Sequence, residues 1–234
     1  FFLLALLSVV MPSVGQTPRT AVVVNNEKVT VSDYIDKDVT VSGKSELHIT
    51  GTGTLLTNTE INLTSVDAWL FFDNLRPQTV VDNLLTNVKV NGQAAANKTN
   101  CRVAIYAHGT VVMPYPSTIK PLEVFSGQNF TGESASYDVH TFYKGLGALE
   151  NKIRSFRLKR GYMATLANNT DGTGYSRVFI ADDADIEVPV ISSLLDKTVS
   201  FIRVMPWEYV TKKGWCGTGS GGGPDAEMVN GTWW

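Results

Sequence analysis

A segment that occurs twice sets the tightest limit on what this chain can fold into. Residues 149–158 read LENKIRSFRL and residues 195–204 read LDKTVSFIRV. Setting Ser155 against Ser200, a spacing of 45 residues, superposes Asn151 on Asp196, Lys152 on Lys197 and Phe156 on Phe201. A repeat of this length is one supersecondary unit made twice, each copy too small to bury a core alone. The two copies must therefore pack on each other. Their strand-like endings, and a polar content rich in Thr, Ser, Asn and Gly, make the pair a β structure.

At 234 residues the chain has room for a second domain ahead of the duplication. Residues 20–118 alternate short strand-like runs, at 21–24, 39–41, 47–49, 61–63, 69–72, 88–90, 103–106 and 110–113, with turn signals such as Asn25-Asn26, Ser42-Gly43 and Asn91-Gly92. SELHITG at 45–51 is similar to TEINLTS at 59–65, so Leu47/Ile49 and Ile61/Leu63 are expected to point the same way from successive strands. That pattern suits a β-sandwich or a short β-solenoid. The apolar run Leu70–Phe72 predicts a strand covered on both faces.

The ends differ from the middle. FFLLALLSVVM followed by small residues reads as a signal peptide over 1–15, cleaved before Gln16, which implies a secreted or periplasmic protein with no membrane attachment after cleavage. A net charge of −2 gives no basis for a nucleic-acid partner. Residues 206–234 combine tryptophan with a glycine-rich stretch and read as a linker leading into a further domain. Trp207 and Trp215 there are the candidates for stacking on sugar rings.

Reactive groups are sparse. Cys101 and Cys216 are read as unpaired, and no Cys/His cluster has metal-ligand spacing. His48, His108 and His140 are isolated in sequence, and no P-loop, dinucleotide-binding or zinc-protease motif is present. Arg157, Lys159 and Arg160 are expected to form a solvated strand end. The acidic run Asp182, Asp183, Asp185 and Glu187 is a secondary ion-site candidate, weighed against a solvated loop. Sequons begin at Asn62, Asn97, Asn129, Asn168 and Asn230.

VFSGQNFTGES at 124–134 has an aromatic, Phe125, then six residues, then Gly132. Together with ENKIRS at 150–155 and LDKTVS at 195–200, it resembles the βγ-crystallin motif pair. The resemblance covers 119–205 and implies two Greek keys in one β-sandwich. The chain is thus expected to be all-β: 16–118 as a β-rich N-terminal domain and 119–205 as the crystallin-like domain. Many members bind Ca²⁺ through [N/D]-[N/D]-x-x-[S/T]-S. Carried over, Asn151 and Ser155 match in the first copy, and Asp196 and Ser200 in the second. Arg154 and Val199 would then stand where a hydroxyl should coordinate, and neither can ligate a hard cation. The implied sites are degraded, with weak Ca²⁺ binding or none.

FIRVMPWEYVTKKGW, its glycine-rich spacer and NGTWW are similar to the segment that joins a β-rich region to a TIM-barrel catalytic core of the endo-β-1,3-glucanase type. That resemblance implies a non-catalytic accessory region of a secreted, polysaccharide-degrading glycoside hydrolase, with the catalytic domain downstream in cis and two glutamates doing the chemistry there. The alternative is a stand-alone structural or Ca²⁺-binding crystallin-like protein.

Overall fold

The computed structural model describes residues 17–207. Trp215, Cys216, Glu208, Asn230 and the expected signal peptide lie outside the described residues.

The first domain is a solenoid of parallel strands. One coil runs β1 (Thr20–Asn25), β2 (Lys28–Val31) and β3 (Tyr34–Ile35); the next runs β4 (Lys37–Ser42), β5 (Glu46–Ile49) and β6 (Leu56–Thr57). The third has β7 (Glu60–Leu63), β8 (Trp69–Phe72) and then helix α1 (Pro77–Asn83), before β9 (Val88–Val90) and a short return strand, β10 (Gln93–Ala94). The order β1-β4-β7-β9 is parallel throughout, as are β2-β5-β8 and β3-β6. Of the two architectures compatible with the sequence, this is the solenoid. A hairpin, β11 (Cys101–Tyr106) and β12 (Gly109–Pro114), extends the second sheet antiparallel to β8.

Each inward position continues a ladder up the coil. Val22, Val39, Ile61 and Val88 stack in one column, and Val29, Leu47 and Leu70 in another. Leu47, Ile49, Ile61 and Leu63 all point inward and are buried, but β5 and β7 belong to different sheets. The similarity between 45–51 and 59–65 therefore relates two faces of one coil, not two paired strands. Left-handed corners turn the chain. Gly43 (φ 62°) stacks on Asn26 (φ 53°), where a Cβ would come within 2.2 Å of the Asn26 Oδ1 that caps the Lys44 N–H. Only glycine fits there.

The second domain contains two Greek keys. The first is β13 (Leu122–Phe125), β14 (Ser134–Tyr137), β15 (His140–Lys144) and β16 (Ser155–Leu158); the second is β17 (Tyr162–Ala167), β18 (Ser176–Ala181), β19 (Ile186–Val188) and β20 (Phe201–Pro206). The sheets are β14-β13-β16-β19 and β15-β20-β17-β18. Each key thus lends its third strand to the other key's sheet. Neither sheet is complete without both copies, which is the physical content of the duplication. Phe156, Leu158, Leu166, Ile202 and Val204 fill the space between the sheets.

The two domains meet face to face. Trp69, Phe71, Val111 and Met113 point outward from the second solenoid sheet and form one cluster, while Met163, Val178, Ile180 and Trp207 form another, with Tyr106 packed against both. β8 is covered on both faces, as its apolar run predicts. Gly161 (φ 86°) lets the backbones approach: a Cβ would sit 3.0 Å from the Trp69 ring and 3.1 Å from Met113 Sδ.

Candidate functional site

The duplicated loops come together at the pseudo-twofold of the second domain, one residue out of the register read from sequence. Asn151 N–H donates to Val199 O (3.1 Å), and Lys197 N–H donates to Ile153 O (3.2 Å). Arg154 N–H bonds Phe125 O and Ser200 N–H bonds Ala167 O, each at 2.9 Å. Leu149 and Leu195 are buried counterparts, as are Ile153 and Val199, and the left-handed residues are Asn151 (φ 54°) and Lys197 (φ 59°). Ser155 therefore corresponds to Phe201, Arg154 to Ser200 and Glu150 to Asp196. Aligning the serines favoured residue identity over the spacing of buried residues, and burial sets the register.

That shift reassigns the residues carried over from the Ca²⁺ motif. Ser155 is buried; its hydroxyl donates to Gly127 O (2.6 Å) and accepts from Phe130 N–H (3.0 Å), clamping the turn between β13 and β14. In the second key, the Phe201 ring lies against Gly172 instead, 3.2 Å from where a Cβ would stand. Ser200, not Val199, is the counterpart of Arg154, and its hydroxyl donates to Asn151 Oδ1 (2.9 Å). Asp196 faces Arg154, whose Nε and Nη2 donate to its two oxygens at 3.0 and 3.4 Å. A guanidinium thus occupies the place opposite the Asp196 carboxylate.

The acidic run is dispersed. Asp185 accepts from the Arg160 N–H (2.8 Å) and pairs with Lys44 (3.3 Å); Glu187 pairs with Arg157 (3.1 Å). Burial pushes the Asp185 carboxyl up, but its bonds to Arg160 N–H and Lys44 outweigh that and hold it below the usual range. No group of three or more His, Cys, Asp or Glu side chains is arranged to hold a metal ion among the described residues.

Arg160, expected at a solvated strand end, is the reverse. Its side chain is 3% exposed and lies between the domains. Nη1 donates to Glu46 Oε1 (2.8 Å), Nη2 donates to Asp67 O, and the guanidinium stacks 4.0 Å from the Trp69 ring. Lys159 pairs with Asp67 beside it (3.3 Å). The glycine that follows, Gly161, brings this corner into contact with the solenoid.

Glu46 ties this latch to an imidazole. His48 Nε2 lies 3.3 Å from Glu46 Oε2, and Nδ1 lies 2.9 and 3.1 Å from the two Asp73 oxygens. The ring stacks on Phe71 with centroids 4.2 Å apart and planes 7° from parallel. Burial raises the Glu46 carboxyl, but hydrogen bonds from His48 and Lys28, and the charges of Lys28 and Arg160, bring it below its ordinary value. His48 and Asp73 also line an open cleft of about 460 Å³. The sequence treated His48 as isolated. Its partners arrive because β5 and β8 are ladder neighbours, with His48 opposite Phe71.

Of the two sugar-stacking candidates, Trp207 falls within the described residues. It is 7% exposed, set edge-on to Tyr106 (5.7 Å) and packed with Met163, Val178 and Ile180. Its N–H bonds Gly161 O (2.8 Å) and its carbonyl accepts from Arg102 Nη2 (2.8 Å). The ring belongs to the domain junction.

No family model matches this sequence, and no curated protein does. Solved structures do. A βγ-crystallin domain from Flavobacterium johnsoniae is 28% identical, with a TM-score of 0.32 over 36% of this chain and 93% of that one. The N-terminal domain of protein S is 24% identical (TM-score 0.33; 38% and 98% covered). A βγ-crystallin domain of Abundant Perithecial Protein from Neurospora crassa, solved in a Ca²⁺-bound form, is 21% identical (TM-score 0.33; 41% and 100% covered). The double Greek key itself stands on the strand order and the reciprocal bonds of the second domain.

Proposed function

We propose that residues 17–207 are a non-catalytic scaffold that holds a downstream catalytic domain of a secreted, polysaccharide-degrading enzyme. The observation that carries this reading is the anchoring of the exit strand. β20 ends at Pro206, and Trp207 is bonded to both domains, through Gly161 O and Arg102. Whatever follows leaves from a point fixed to the solenoid as well as to the Greek keys. The resemblance of the segment from Phe201 onward to the approach of a TIM-barrel glucanase supplies the kind of domain. Reading the gene beyond Trp234 tests this directly: a barrel with two catalytic glutamates is expected. Hydrolysis of laminarin, xylan or agarose by this chain alone would refute a scaffold role.

A stand-alone structural protein is the second reading. The Arg154–Asp196 pair favours it, because the duplicated loops are bridged by a side-chain cation and need no bound ion. A stop codon soon after Trp234 would select it.

A further inference from the structure

The outward side chains of the second solenoid sheet form rows across its strands. One row, Lys28, Glu46 and Trp69, runs beneath the second domain at Glu46 and Trp69, where Arg160 seals it. The next row, Thr30, His48 and Phe71, leads out from under that cover into the cleft of about 460 Å³. Asp73, Asn74 and the turn from Tyr106 to Gly109 complete its walls. Its volume falls in the roughly 300–1,000 Å³ range of small-ligand sites.

We propose that this cleft binds a neutral saccharide of mono- or disaccharide size. The polar groups are braced before any ligand arrives. The His48 side chain is 13% exposed, clamped between Glu46 and Asp73 and stacked on Phe71. Asp73 is thereby held by its imidazole while its carboxylate stays partly open, and a carboxylate has about four lone-pair positions, more than one imidazole uses. Asn74 gives one Nδ2 hydrogen to Thr50 O (2.6 Å), which fixes the amide and leaves its Oδ1 as an acceptor beside the second hydrogen. Thr30 adds a hydroxyl that both donates and accepts. Acceptors therefore predominate next to donors, the complement of a ligand rich in hydroxyl groups.

The remaining wall suits the C–H face of a sugar ring. Tyr106 is held edge-to-face by Phe71 (5.1 Å) and Trp207 (5.7 Å), an amphipathic ring fixed in place. Charge argues for a neutral ligand. The Lys28 ammonium, the cation a phosphate would seek, is paired to Glu46 (3.3 Å); the Asp73 carboxylate is already engaged by His48 Nδ1 (2.9 Å), and His108 in the same wall adds ring nitrogens able to bond a hydroxyl. Pre-organised side chains lower the ordering cost of binding.

This site shares the glycan target of the scaffold reading, but a spacer need bind nothing, so the two can fail separately. The test uses the intact chain in affinity electrophoresis on laminarin, xylan and agarose, with calorimetric titration by glucose, laminaribiose and xylobiose. Wild type should be retarded by one polymer and bind the matching disaccharide. Asp73→Ala, which removes charge-assisted hydrogen bonds, should weaken binding about tenfold or more. Thr30→Trp, on an exposed strand position, should fill the cleft and abolish binding while the melting midpoint holds. Unretarded wild type on all three gels with silent titrations would overturn the proposal. So would retardation that survives Thr30→Trp, which would place the sugar elsewhere, or a preference for a sugar phosphate or amino sugar.

Discussion

Replacing Arg160 with alanine removes a side chain that bonds the second domain to both a carboxylate and a main-chain carbonyl of the solenoid. The guanidinium is almost fully buried, so its bonds are not screened by solvent. Two charge-assisted hydrogen bonds, to Glu46 and to Asp67 O, contribute about 1.5–3 kcal/mol each. Stacking on Trp69 adds about 1–2 kcal/mol. Against this, Glu46 retains Lys28 and His48, so no carboxylate is orphaned, and the buried cation no longer has to be desolvated. The expected net loss is about 3–5 kcal/mol, the usual cost of breaking a buried pair. For a protein of this size that is a fall in melting temperature of roughly 6–20 °C. Because the loss falls on the interface, the domains should also unfold in separate calorimetric transitions in the variant, where the intact junction couples them into one. Arg160→Lys keeps the charge but lacks the planar fork, and should recover less than half of the loss. An alanine variant that melts in one transition within about 1 kcal/mol of wild type would refute the latch.

Ser155→Ala unclamps the β13–β14 turn and should cost about 1–3 kcal/mol in urea denaturation, since Gly127 O and Phe130 N–H lose their shared partner. Arg154→Ser restores a hydroxyl opposite Asp196 and should raise Ca²⁺ affinity, read as a Ca²⁺-dependent gain in melting temperature absent from wild type; because the ion pair is partly exposed, its own loss should cost no more than about 1 kcal/mol. Glu46 and Asp185 both have carboxyls held below their ordinary values, so the stability they add is present above the unfolded-chain pKa and is lost as pH falls through the folded one. Acidification below about pH 4 should therefore loosen the domain junction, followed by Trp69 fluorescence. Unchanged fluorescence down to about pH 2.5 would count against that linkage.

Much of the architecture was legible in the chain because it depends on local period. The alternation of apolar residues marks β5, β7 and β9, an unbroken apolar run marks β8, and the turn pairs Asn25-Asn26, Ser42-Gly43 and Asn91-Gly92 fall at real corners. The duplication announced two packed copies, and they are packed. What failed was register. Ser155 and Ser200 look equivalent as letters, yet Leu149, Ile153 and Phe156 match Leu195, Val199 and Ile202 as buried positions. The solenoid gave a similar lesson, since Leu47 and Ile61 sit in similar heptapeptides but on different sheets.

The candidate cleft was hidden for the same reason. His48 and Asp73 are 25 residues apart, and the distance between them depends on the length of the coil that joins β5 to β8. That length is set by the corner between β6 and β7 and by the loop before Trp69, neither of which follows a fixed repeat. Arg160 departs from expectation because a charge beside an apolar run ordinarily reaches water, and here the solenoid packed against it removes that water.

The amino-acid order alone determined that this is a β protein with a twice-used unit and an earlier run of short strands, because side-chain alternation and turn chemistry act between near neighbours. Tertiary structure decided which strands became neighbours, which charge went inside and which imidazole met which carboxylate. Those outcomes depend on pairing across distances that loops of unequal length set, and on water being excluded from a junction that neither domain forms by itself.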